Sequence, residues 1–267
     1  VMRLGSFLVF ALFSATGESK IHSSPVPDCE NCSVTISPFP VTPDTPWFFA
    51  GCGGDLLEEM IAKELTQVTF TRPETLGSAI GVGYLTNALS VLRSLGLTKP
   101  PCYLCASRGC LDVFHWAAAN PGHLACIVGF GAVLDIRSWP GGFGLSQSPD
   151  MRLWEHAKHW YGFATDQEAM QDDPWSIASD LVRGGVRILF VRVHPDTIVP
   201  NAENCNILAD RVAEYGGKVD FVDLERGNHI NWPEFLMGQQ LQGVVDYVVA
   251  AAQTGPRRGR VVQNQEL

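Results

Sequence analysis

Three residues of different chemical type each stand past the end of a segment with strand character: Ser107 after Cys102–Ala106, Asp196 after Val186–Val193, and His229 after Val219–Leu224. A serine hydroxyl is a poor nucleophile at neutral pH. A neutral imidazole can take its proton and later return it to a leaving group. A carboxylate on the far ring nitrogen fixes the tautomer and stabilises the imidazolium. Ser107 lies in Cys105-Ala106-Ser107-Arg108-Gly109, the nucleophile-turn pattern Gly-x-Ser-x-Gly with Cys105 at the first glycine. A strand-to-helix turn there exposes the hydroxyl and puts the Arg108 N–H at a helix N-terminus, where it can donate to a developing oxyanion. The second donor is expected from the Phe49-Ala50-Gly51 backbone, at Ala50. Singly, each residue has an ordinary alternative: Ser107 a helix cap, Asp196 a turn residue beside Pro195, His229 a surface loop histidine. Their joint placement carries the reading.

Such groups must be held by strands that end at one edge of a sheet. From Trp47 the chain alternates between strand and helix signals. Strands are predicted at Trp47–Ala50, Val68–Phe70, Cys102–Ala106, Leu124–Phe130, Val186–Val193 and Val219–Leu224, with an early one at Ser33–Ile36 in an otherwise extended lead-in. Asp55 and Glu58 resemble a helix cap and its box partner, with Leu56, Leu57, Met60, Ile61 and Leu65 following at helical spacing. Leu85, Ala88, Leu89, Leu92 and Leu95 form a second stripe, stopped at Gly96. Further helices are expected at Gly109–Ala119, around Ile207, Leu208, Val212 and Tyr215, and from about Pro233 to Ala251. The strands are continuous apolar runs, as strands covered on both faces are. This is an α/β chain, with a mostly parallel central sheet and helices on both faces. Residues 136–175 break the rhythm with Trp139, Trp154, Trp160 and Trp175 among polar residues, and read as a small cap insertion covering the sheet edge.

The chain's 267 residues fit one large domain better than two small ones. A formal net charge of −9 argues against a nucleic-acid partner. The basic cluster Arg257, Arg258 and Arg260 falls in a polar tail, residues 256–267. Arg3, the apolar run 4–13 and the small residues Ser14, Ala15 and Gly17 have the order of a signal peptide over residues 1–19, too short to span a bilayer. It implies a secreted or periplasmic protein, with a domain over residues 20–255.

Eight cysteines need an account. Cys29 and Cys32 could pair in an oxidising compartment. Cys52, Cys102, Cys105, Cys110, Cys126 and Cys205 lie in or beside apolar segments, where most are expected to be buried thiols acting as small hydrophobes. Cys29-x-x-Cys32 with Cys102-x-x-Cys105 makes a poor metal site, because residues three apart on a strand face opposite sides. His156-x-x-His159 is flanked by tryptophans that suggest a packed helix. No metal and no cofactor is expected. A cysteine nucleophile at Cys105 or Cys110 is disfavoured because a buried thiol without a cationic neighbour stays protonated.

Three runs carry a family resemblance: Ser-Arg-Gly-Cys-Leu-Asp-Val-Phe-His-Trp-Ala-Ala-Ala-Asn-Pro (107–121), Leu-Asp-Ile-Arg-Ser-Trp-Pro-Gly-Gly (134–142) and His-Pro-Asp-Thr-Ile-Val-Pro (194–200). With Glu203-Asn204 and Gly227-Asn228-His229, they resemble secreted bacterial α/β-hydrolases of the prolyl-oligopeptidase-like or esterase-like kind, over roughly Trp47 to Trp232. The resemblance implies the α/β-hydrolase fold and a carboxylic-ester hydrolase with Ser107, Asp196 and His229 as its triad. Its substrate would be a small-molecule or carbohydrate ester, with Trp139 and Phe49 as expected contacts. A serine peptidase of the prolyl-oligopeptidase type and a non-catalytic binding protein on the same fold are the alternatives.

Overall fold

The computed structural model describes residues 20–257. The signal-peptide expectation lies outside them, as does the tail beyond Arg257. Eight strands form one sheet: β1 (Lys20–Pro25), β2 (Ser33–Phe39), β3 (Trp47–Ala50), β4 (Thr66–Thr71), β5 (Cys102–Ala106), β6 (Cys126–Phe130), β7 (Arg187–Val193) and β8 (Val219–Leu224), in the order β1-β2-β4-β3-β5-β6-β7-β8. β1 and β2 pair antiparallel, as do β2 and β4, and every pairing from β4 to β8 is parallel. β1 is a strand where the sequence suggested only an extended lead-in. The Lys20–Pro25 run is largely polar, and its partner β2 recruits it through backbone hydrogen bonds.

Alternation along the central strands buries both faces. Tyr103 and Cys105 of β5, with Ile188 and Phe190 of β7, enter one core with helices α2 (Ala79–Ser94), α3 (Gly109–Ala119), α6 (Ala178–Gly184) and α7 (Cys205–Glu214). Cys102, Leu104, Val128, Phe130, Leu189 and Val191 enter the other, with α1 (Asp55–Ala62) and α8 (Gly238–Thr254). The expected sandwich of helix, sheet and helix is therefore present.

Several local expectations are corrected. Asp55 is the first residue of α1 and not its cap; Gly54 holds that position without any side-chain hydrogen bond. The last helix starts at Gly238, because Trp232–Glu234 forms a separate 3-10 turn and Met237 is extended. Trp232 stacks on Phe130 with ring centroids 4.4 Å apart. The segment 136–175 carries α4 (Met151–Tyr161) and α5 (Asp166–Gln171), and its Ile136, Trp154, Ala157 and Ala169 pack on Leu76, Leu111, Val133 and Val199, which all follow the ends of parallel strands.

The cysteines are also paired more than expected. Besides Cys29–Cys32, the disulfides Cys102–Cys126 and Cys105–Cys110 take four of the six cysteines read as thiols, leaving Cys52 and Cys205 free. Cys102 and Cys126 are register partners on β5 and β6, with Cα atoms 4.4 Å apart. Among the described residues no helix is long and apolar enough to cross a membrane.

Phe130 is 1 % exposed and joins the sheet to the Trp232 turn. Phe130→Ala is expected to lower unfolding free energy by about 3–5 kcal/mol in urea denaturation. An unchanged midpoint would show that this core packs otherwise.

Candidate active site

Ser107 stands between β5 and α3 with its backbone left-handed, φ 51°. That conformation costs a residue with a side chain about 1–2 kcal/mol. Three main-chain hydrogen bonds hold it. The Ser107 N–H donates to Phe130 O at 2.8 Å, while Val133 N–H and Cys110 N–H each donate to Ser107 O at 3.1 Å. The turn is thereby tied to β6, to the loop after β6 and to the first turn of α3.

Asp196 follows β7. Its Oδ1 accepts the Ile198 N–H at 3.1 Å and the Val199 N–H at 2.8 Å. Its Oδ2 is left to accept the His229 Nδ1–H at 2.8 Å. An ionised carboxylate can only accept, so Nδ1 carries the proton and Nε2 is free to accept. Nε2 accepts the Ser107 Oγ–H at 2.9 Å. Asp196 and His229 are both buried, 7 % and 8 % exposed. The histidine loop is set by Asn228, whose Oδ1 accepts the N–H groups of Ile230 and Asn231. The structure thus brings together the three residues that the sequence singled out on separate strands.

The other expected site residues divide. Arg108 caps α3, and its N–H has no backbone or side-chain acceptor among the described residues. Ala50 closes β3 in register with Leu104, three positions before Ser107 on the neighbouring strand. The Gly51 N–H beside it is taken by Leu104 O at 2.9 Å. Phe49 is not a surface residue of the site. It is 1 % exposed and stacks on Tyr103 at 4.6 Å, because strand alternation turns it into the core under α2 and α3. Trp139 is half-buried on the cluster that includes Leu111 and Val133, and its indole N–H donates to Ser148 O at 3.1 Å.

Two supports escaped the sequence reading. Gly131, just past β6, has φ 51°, and a Cβ there would meet His229 Nδ1 at 2.9 Å and Asp196 Oδ2 at 3.3 Å. Asp112, in the first turn of α3, is 1 % exposed. Its Oδ1 accepts the Thr75 hydroxyl at 2.7 Å and the Gly77 N–H at 2.8 Å, and Arg72 forms an ion pair with its Oδ2. A carboxylate inside the apolar run Leu111–Phe114 was the available signal, since buried carboxylates require partners.

A cavity of about 390 Å³ opens beside the turn, lined by Phe70, Arg72, Glu74, Tyr103, Cys105 and Arg108 among others. Arg108 Nε pairs with Glu74 Oε2 at 2.6 Å. Burial alone would lower the Arg72 pKa; the fields of Asp112, Tyr103 and Glu74 together outweigh it, and the guanidinium is held above its ordinary value. Burial pushes the Tyr103 phenol up to about 12, with Arg72 opposing. At neutral pH the cavity therefore presents a neutral phenol and two paired guanidinium groups. Burial raises the thiols of Cys52 and Cys205, the latter to about 12, so neither supplies a thiolate.

No protein-family model and no curated protein matches the chain. Among solved structures it is similar to the acylaminoacyl peptidase of Pyrococcus horikoshii, at 12% identity and TM-score 0.61, covering 86% of this chain and 40% of that one. It is similar to a puromycin hydrolase at 17% identity and TM-score 0.64, over 87% of this chain and 39% of that one. It is also similar to a fungal esterase from Rhizomucor miehei at 14% identity and TM-score 0.58, over 88% of this chain and 83% of that one. The chain spans about 40% of the length of the first two. At these identities the likeness shows the fold, and that fold is the α/β-hydrolase fold expected above.

Gly131→Ala places a methyl group against the His229–Asp196 pair and forces a side chain into left-handed backbone. A crystal structure of this variant is expected to show Nε2 displaced from hydrogen-bond reach of Ser107 Oγ. An undisturbed pair would contradict the role given to this glycine.

Proposed function

We propose that this chain, built on the α/β-hydrolase fold, is a serine hydrolase that cleaves a carboxylic ester through an acyl-serine intermediate. The observation that carries the reading is the unbroken hydrogen-bond path Ser107 Oγ–H to His229 Nε2 and Nδ1–H to Asp196 Oδ2, at 2.9 and 2.8 Å, on a left-handed serine turn.

Ser107 Oγ attacks the ester carbonyl carbon as His229 Nε2 takes its proton. The carbonyl oxygen becomes an oxyanion, and the Arg108 N–H is the proposed first donor to it, with the Ala50 backbone the proposed second. Collapse of the tetrahedral species breaks the bond to the alcohol oxygen, which leaves with the proton from Nε2. Water then enters, His229 takes its proton, and a second tetrahedral species releases the acid and restores Ser107 Oγ–H. Asp196 keeps its charge throughout and stabilises the imidazolium.

The cavity of about 390 Å³ beside the turn lies within the size range of small-molecule sites, which run from about 300 to 1,000 Å³. It supports a small substrate, such as an acylated sugar or another small ester, with Trp139 a proposed contact. Phe49 is not proposed, for the burial given above. Three disulfides support a secreted or periplasmic protein, since such bonds persist in oxidising compartments. A serine peptidase is the second reading. It is favoured by the likeness to an acylaminoacyl peptidase, whereas the fungal esterase is matched over far more of its own length.

The test is a panel of nitrophenyl esters of graded acyl length beside aminoacyl and peptidyl anilides. The wild-type protein is expected to turn over short esters with a higher kcat/KM than any anilide. Ser107→Ala and His229→Ala should each reduce ester kcat by ~10³-fold or more, and Asp196→Asn by ~10³- to 10⁴-fold. Faster turnover of anilides would move the assignment to the peptidase, and unaltered ester turnover in Ser107→Ala would refute the serine mechanism.

A further inference from the structure

At the first glycine of the nucleophile-turn pattern this chain has Cys105, and its sulfur is bonded to Cys110 in the first turn of α3. We propose that the Cys105–Cys110 cross-link is a positioning device for Ser107: it fixes the close approach of β5 and α3 that glycine otherwise permits, and so sets the rate of the chemical step. The proposal rests on the reading of Ser107 as nucleophile.

The cross-link brackets the serine. Cys105 stands two residues before it and Cys110 three after, with Cα atoms 5.1 Å apart. That separation is ordinary for a disulfide. Both are buried, on the α3 side of the sheet. Between them Ser107 holds φ 51°, and Cys105 and Ala106, both with a Cβ, precede it. The Cys110 N–H also donates to Ser107 O at 3.1 Å, so one residue closes the turn twice, through its backbone and through its sulfur. Covalent closure removes the freedom of the helix to slide over the strand end, which is the motion that would carry Oγ away from His229.

Its effect on global stability is expected to be the smaller part. Cys105 and Cys110 are separated by 5 residues, against 24 for Cys102 and Cys126. The restriction placed on an unfolded chain grows with the length of the closed loop. A short bracket across a left-handed turn acts mainly on local geometry.

The experiment compares the wild-type protein with Cys105→Ala/Cys110→Ala, reading kcat and KM on the best ester, thermal midpoint and far-UV circular dichroism. The double variant is expected to keep its fold and KM while kcat falls ~10- to 100-fold, the scale of a misplacement of about 1 Å. A folded variant with wild-type kcat overturns the proposal, as does a loss confined to KM. A companion measurement treats the wild-type protein with a water-soluble phosphine without denaturant. Alkylation and peptide mass spectrometry then report which pairs have opened. Turnover should fall in step with opening of Cys105–Cys110, with an unchanged dichroism spectrum, and return on reoxidation. If both arms unfold the protein, the bond holds the fold and not the turn, and the proposal fails. A wild-type protein inactive on every ester and anilide sinks the serine-hydrolase reading itself, a separate failure from an unaltered kcat in the double variant.

Discussion

The left-handed turn at Ser107 is the constraint on which the rest of the site depends. A serine there forgoes about 1–2 kcal/mol relative to ordinary backbone, so the fold around it must over-determine the geometry. It does so through β6. Phe130 O accepts the Ser107 N–H, and the loop residue Val133 returns a hydrogen bond to Ser107 O. These bonds exist only while β5 and β6 keep their register, in which Ala106 faces Phe130 and Cys102 faces Cys126. The core packing of Phe130 on Trp232 and the disulfide between the strands therefore act on the serine as well as on stability.

The same loop after β6 sets the other half of the site. Gly131 leaves the room that His229 and Asp196 occupy, and its N–H donates to Val191 O of β7, the strand that leads to Asp196. Asn204, buried at 1 % exposure, extends the link: its Oδ1 accepts the N–H groups of Leu134 and Asp135, and its Nδ2 donates to Pro200 O. The loops that carry the serine, the carboxylate and the start of the insertion are thus one hydrogen-bonded unit. On the far side, Asp112 ties the α3 first turn to Arg72, Thr75 and Gly77, and Arg108 pairs with Glu74 of the same loop. The charges lining the cavity are consequently fixed as pairs.

Much of this was legible in the sequence where a run of one residue class has sharp ends. Cys102–Ala106, Trp47–Ala50 and Gly109–Ala119 were bounded to the residue, because these largely apolar runs stop at Ser107, Gly51 and Asn120. Ser107, Asp196 and His229 followed from those ends. What escaped depends on partners distant in the chain. The polar strand Lys20–Pro25 exists through its pairing with β2. Phe49 was an expected substrate contact, yet the face it takes is decided by its place in the sheet. The Cys102–Cys126 pair follows from register too, and Cys105–Cys110 from a helix folding back over its strand. Gly131 and Asp112 are single residues whose meaning lies in what touches them.

The central claim is that Ser107 is an activated nucleophile in this arrangement. A fluorophosphonate probe reads that property without a known substrate. With the purified wild-type protein, peptide mass spectrometry should place one label on Ser107, and His229→Ala should abolish it while remaining folded. An unlabelled Ser107 in a folded wild-type protein, or labelling indifferent to His229, would contradict the account.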